Sequence, residues 1–123
     1  MKRKKLTASM IALVMSVSLP MTTYAANWYL EDGSVTVNAD NSGQTVTQGS
    51  NPAVSDEAPV ITQRESSVET GNTIAINASD NAAANVTIKD INIKSSNDAI
   101  DVKGSSSANI TLEGDNKIFS ETG

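Results

Sequence analysis

Asn85-Val86-Thr87-Ile88-Lys89 returns 24 residues later as Asn109-Ile110-Thr111-Leu112-Glu113. Both segments alternate a polar residue with a β-branched or aliphatic one. That alternation gives a strand one apolar and one polar face, because successive side chains point to opposite sides. A recurrence at this period points to a supersecondary unit stacked on copies of itself. No stretch of the mature chain places apolar residues at helical spacing, so an all-β fold is expected.

Working outward, nine short pieces rich in Val, Ile and Thr fall between Asn, Asp, Gly and Ser punctuation. They group into three sets of three. The first pieces carry Val35/Val37, Ile74/Ile76 and Ile100/Val102. The second carry Val46, Val86/Ile88 and Ile110/Leu112. The third carry Val60 or Ile61, Ile91/Ile93 and Ile118. Strict alternation breaks between Ile88 and Ile91, which requires a corner at Lys89-Asp90, with Gly114-Asp115 at the matching place in the next set. Three sides of ~4–5 residues plus three tight turns account for a spacing in the low twenties. The expected architecture is therefore a right-handed parallel β-helix of about three coils, in which Thr36, Ala75 and Asp101 form one outward ladder and Thr87 and Thr111 another. Residues 49–58 and 65–72 read as loops inserted at its corners. A β-sandwich of antiparallel strands is the alternative, since short strands between turn signals suit both.

The ends and the charge bound the rest. Lys2-Arg3-Lys4-Lys5, the apolar run Leu6 to Leu19 and the small residues of Thr23-Tyr24-Ala25 make residues 1–25 a signal peptide, with cleavage after Ala25 fitting best and after Ala26 as the second choice. Residues 26–123 then form one β-helix domain, secreted or extracellular. Removing the leader leaves five basic against 14 acidic residues, a net charge of −9. Such a chain is a poor partner for nucleic acid, and no membrane insertion is expected after cleavage. There is no cysteine and no histidine, so disulfides and thiolate metal sites are excluded and neither residue type can serve as base or nucleophile.

Three motifs together carry a resemblance: Trp28-Tyr29-Leu30-Glu31-Asp32-Gly33-Ser34, the Asn-Thr-Ile-Ala-Ile-Asn-Ala run at 72–78, and Asn109 to Asn116. The chain resembles secreted carbohydrate-binding-domain or adhesin-like β-helix repeat proteins of Gram-positive bacteria. The resemblance implies a bacterial surface protein, a right-handed β-helix, and carbohydrate binding, sometimes with calcium. Relatives of that kind usually continue with further coils where this sequence stops, so the C-terminus reads as that of a fragment.

Candidate sites follow from residue chemistry. Trp28 and Tyr29 are two of only four aromatic residues, and either could stack on a sugar ring or cover the end of the first coil. Thr87 and Thr111 would present hydroxyls on a flat face. Asn97, Asp98 and Asp101 are the tightest cluster of oxygen ligands, of the kind calcium takes. The same residue types also suit plain turns. No cofactor is called for beyond such a calcium ion. Catalysis is not expected, because Arg64 is the only arginine after the leader and no acidic residue is singled out by its neighbours. The expected role is a non-catalytic module binding polysaccharide or a cell-surface glycan. A structural adhesin stalk without its own ligand is the alternative, and a fragment of a polysaccharide-lyase-like β-helix is another.

Overall fold

In the computed structural model, residues 26–79, 81–103 and 107–121 are described. The expected signal peptide and Asp80 lie outside them. The described residues form strands and turns, with one 3-10 turn at Leu30–Asp32 and no α-helix. The strands are β1 (Asn27–Tyr29), β2 (Val35–Asp40), β3 (Gly43–Gln48), β4 (Val54–Ser55), β5 (Val60–Thr62) and β6 (Ile74–Ala78). After them come β7 (Ala83–Lys89), β8 (Asn92–Ser95), β9 (Ile100–Lys103), β10 (Ser107–Glu113) and β11 (Lys117–Ser120).

They assemble into three sheets. One runs β9-β6-β2-β3-β4, the second β10-β7-β5-β1, and the third is the pair β11-β8. All pairings are parallel except β2 with β3 and β3 with β4. The repeat that opens the sequence is a register: Asn85 lies beside Asn109, Thr87 beside Thr111 and Ile88 beside Leu112. Thr36, Ala75 and Asp101 likewise stand in one row. Apolar residues form rows on the other face. Val35 pairs Ile74 and Ile74 pairs Ile100, while Ile61 pairs Ile88 and Ile88 pairs Leu112. Ile93 pairs Ile118.

One core receives side chains from all three sheets. Leu30, Val35, Val37, Val46, Ile61, Ile74, Ile76, Ile88, Ile91 and Ile93 are at most 1% exposed. Branched aliphatic side chains suit these positions because they pack on a pleated surface with little rotamer entropy to lose. The core ends abruptly with the last row. Val102, Ile110, Leu112 and Ile118 sit in register with buried residues yet are 39–62% exposed, since no further strand lies beyond them among the described residues.

The corner foreseen at Lys89-Asp90 is present. Asp90 adopts a left-handed φ of 51° and Gly114 one of 69°. Asp90 Oδ1 accepts the Asp115 N–H at 3.0 Å, tying the two corners together. A Cβ on Gly114 would come within 1.9 Å of that oxygen, so the second corner needs glycine for space as well as for φ.

The first set of strands departs from the expected grouping. Val46 belongs to β3, which folds back antiparallel on β2 in the first sheet and does not start a second side. The strand beside β7 is instead β5, with Val60 opposite Thr87 and Ile61 opposite Ile88. Thr70, inside the expected loop 65–72, bridges to Ile93 and stands where a strand of the third sheet would be. The reversal at Asp40-Asn41-Ser42-Gly43 causes the difference. Asp40 Oδ1 accepts from Ser42 N at 2.8 Å and from Ser42 Oγ at 2.6 Å, closing a hairpin that carries no Asn-Gly or Asp-Gly pair.

Candidate ligand-binding surface

Three glutamines finish the edges that strand pairing leaves open. Gln44 is 3% exposed. Its Oε1 accepts the Asn85 N–H at 2.8 Å, and its Nε2 donates to the Asn85 and Asp56 carbonyls, each at 3.0 Å. A side-chain amide thus does for β7 what another strand's peptide group would do. Gln48 Nε2 donates to the carbonyls of Tyr29 at 2.6 Å and Gly33 at 3.0 Å. Gln63 accepts from the Asn92 N–H and donates to the carbonyls of Glu65 at 3.3 Å and Val68 at 3.0 Å, drawing the 65–72 loop over β8.

Trp28 and Tyr29 lie within this closed end. Trp28 is half-buried against the core, and its indole N–H donates to Asp56 Oδ2 at 2.8 Å. Tyr29 carries the Arg64 guanidinium over its ring, 4.2 Å from the centroid. Arg64 also donates to both Asp32 carboxylate oxygens, at 3.0 and 2.8 Å. That paired hydrogen bond, together with the neighbouring charge, holds the Asp32 carboxyl below its ordinary range and raises the Arg64 guanidinium. At Glu31, partial desolvation pushes the carboxyl up, but backbone N–H groups at Glu65 and Arg64 outweigh it and the net direction is down. Glu31 and Arg64, with Gln63 and Glu65, border a cleft of about 500 Å³ that reaches Glu69, Thr70 and Asn72. The Arg64 guanidinium on its wall is already paired with Asp32.

The outward faces are more open. Along β7 and β10, Asn109 Nδ2 donates to Asn85 Oδ1 at 3.0 Å, and Thr87 and Thr111 stand side by side two residues on. Thr111 is exposed and Thr87 half-buried. Amides and hydroxyls therefore recur at the strand spacing of ~4.8 Å. On the third sheet, Phe119 stands beside Lys94 on the face opposite Ile118 and Ile93. It is 54% exposed, with Lys94 Nζ 6.0 Å from its ring centroid. Glu69, Lys94 and Phe119 line a shallow depression of about 310 Å³. In sequence Phe119 follows Ile118 without a gap, and only the register shows that Ile118 continues the Ile93 row while Phe119 stands beside Lys94.

The corner cluster is less convergent. Asn97 donates its backbone N–H to Ser95 Oγ at 2.9 Å, as turn residues do. Asp98 is exposed, and Asp101 leaves that turn for β9, where Lys103 Nζ is 3.4 Å from its carboxylate. Among the described residues, no group of three or more His, Cys, Asp or Glu side chains converges on one point. Among the same residues, no helix is long and apolar enough to cross a membrane. No protein-family model, curated protein or solved structure matches this chain.

Proposed function

We propose that this chain is an exported, non-catalytic β-solenoid module that binds polysaccharide on its outward faces. The coil architecture is supported by parallel partners 24 to 26 residues apart on each of the three sheets. The observation that carries the ligand class is Phe119. An aromatic ring held outward on a strand offers its face to the C–H groups of a sugar, and Lys94 and Glu69 beside it can hydrogen-bond the hydroxyls. The Asn85/Asn109 and Thr87/Thr111 rows extend the polar surface along the neighbouring side. Calcium at Asn97, Asp98 and Asp101 would act on affinity and not on chemistry. A glycan array probed with the secreted chain, with and without calcium, tests the reading. Phe119→Ala is expected to lower binding at least tenfold and Thr111→Lys to lower it less. Binding unchanged by Phe119→Ala would remove the platform.

A second reading is favoured by the exposed last row. Val102, Ile110 and Leu112 offer the surface on which another layer would stack, as in a stalk that spaces a different domain. Absence of binding to every glycan on the array would select it.

A further inference from the structure

Asp56 is a buried acidic side chain with no cation beside it among the described residues. It is 5% exposed, and its backbone is pinned by Gln44, which accepts the Asp56 N–H at 3.1 Å and donates to the Asp56 carbonyl at 3.0 Å. Its Oδ1 accepts the Ala58 N–H at 3.0 Å. Its Oδ2 accepts the Trp28 indole N–H at 2.8 Å and the Ala26 N–H at 3.3 Å. Among the described residues the ion pairs are Arg64–Asp32 and Lys103–Asp101, and neither reaches it. Its neighbour Glu57, which accepts the Gln44 N–H at 2.9 Å, adds a second negative charge. Three N–H groups meet this buried carboxylate, and a positive charge beside it would offset its desolvation further.

We infer that the missing cation is the α-ammonium of Ala26, created when the leader is removed. This rests on the export reading. Hydrolysis of the Ala25–Ala26 peptide bond by a signal peptidase consumes one water. The Ala25 carboxylate departs with the leader, and the freed Ala26 nitrogen takes up a proton. The nitrogen is already in place. Ala26 is anchored by its carbonyl, which accepts the Val60 N–H at 3.0 Å, and its own nitrogen lies 3.3 Å from Asp56 Oδ2. Before cleavage that nitrogen offers one neutral hydrogen. Afterwards it offers three and a full charge, and such charge-assisted bonds are stronger and typically ~2.7–2.9 Å long. Cleavage after Ala26 would instead remove this donor and leave Asp56 with two neutral N–H partners. Asp56 is therefore a capture site for the processed terminus, and maturation locks β1 onto the closed end of the core.

The exported full chain allows a direct test. Mass spectrometry is expected to place its first residue at Ala26, and a start at Asn27 or elsewhere would overturn the proposal. Transamination with pyridoxal phosphate converts the terminal amine to a ketone and leaves lysines intact. In the wild type this should lower the melting temperature by at least about 5 °C. In Asp56→Asn, whose carboxamide carries no charge, the same conversion should shift it by less than about 1 °C. An equal loss in both proteins, or none in the wild type, refutes the ion pair. If Asp56→Asn does not fold, one glycine inserted before Ala26 displaces the ammonium and should reproduce the wild-type loss. An unchanged melting temperature there also refutes it. Failure to bind glycans leaves these outcomes untouched, so the two proposals fall separately.

Discussion

Replacing Gln44 with methionine tests whether one side-chain amide closes the edge of β7. Methionine keeps the length and volume of the chain and removes all the polarity. Three hydrogen bonds disappear: the one from Asn85 N–H at 2.8 Å, and those to the Asn85 and Asp56 carbonyls at 3.0 Å. Each is worth about 1 kcal/mol net, and a buried group left unmatched costs a further ~1–3 kcal/mol. The Asp56 carbonyl contact is buried and the Asn85 contacts are partly buried, so the expected loss is about 3–4 kcal/mol. That is a large part of the ~5–15 kcal/mol that holds a small domain together. Urea unfolding should show a midpoint lower by about 2 M, taking a slope of ~1–2 kcal/mol per molar. The Asn85 amide should also exchange with solvent faster, while the amides of β9 and β11 keep their protection. A midpoint within about 0.3 M of the wild type would refute the reasoning. It would mean that water satisfies Asn85 as well as the glutamine does.

Further outcomes follow from the same structure. Ile88→Ala removes three fully buried carbons between Ile61 and Leu112 and should cost about 3–4 kcal/mol in denaturant unfolding, whereas Leu112→Ala, at a position 62% exposed, should cost about 1 kcal/mol or less. Similar losses at the two positions would show that the last row is covered in solution. Gly114→Ala should destabilise by about 2 kcal/mol, since its φ of 69° disfavours a side chain and the new carbon meets Asp90 Oδ1; adding Asp90→Ala should recover part of the loss in a double-mutant cycle. Asp32 should titrate below the ordinary carboxylate range in carbon-13 NMR, because Arg64 hydrogen-bonds its charged form. Its folded-state pKa is depressed, so its contribution to stability is complete above the unfolded-state value and is lost as pH falls through the folded-state value. Arg64→Gln should return that midpoint upward, and an unmoved midpoint would show that the pair does not persist in solution.

The later half of the fold was legible because two of its segments share one pattern and pair in register. Asn85 to Lys89 and Asn109 to Glu113 share a polar-apolar alternation, and identical patterns at a constant offset have one economical arrangement, side by side and parallel. The corner at Asp90 and Gly114 could be read from a single break in that alternation. The earlier half was not legible, because it has no copy of itself to compare with. Val46 sits in an alternating run as regular as Val86 and Ile88, yet Asp40 and Ser42 close a hairpin ahead of it and send β3 back along β2. Alternation gives a strand its faces but says nothing about its neighbour.

The site divides along the same line. Composition alone settles that no cysteine or histidine chemistry is available, and the charge of residues 26–123 follows from counting. A leader cleaved after Ala25 is an expectation from residue order alone. What Trp28, Tyr29, Phe119 and Asp56 do was decided by tertiary structure. Trp28 and Tyr29 look equally available in sequence, but one donates to a buried carboxylate and the other lies under Arg64. Phe119 looks like a core residue beside Ile118, but the register with Lys94 turns it outward. Asp56 reads as an ordinary loop acid, and only folding brings it to Ala26, thirty residues away. Local pattern determines which face of a strand is apolar. Which groups meet across the molecule depends on connections between segments distant in sequence, and those connections leave no local trace.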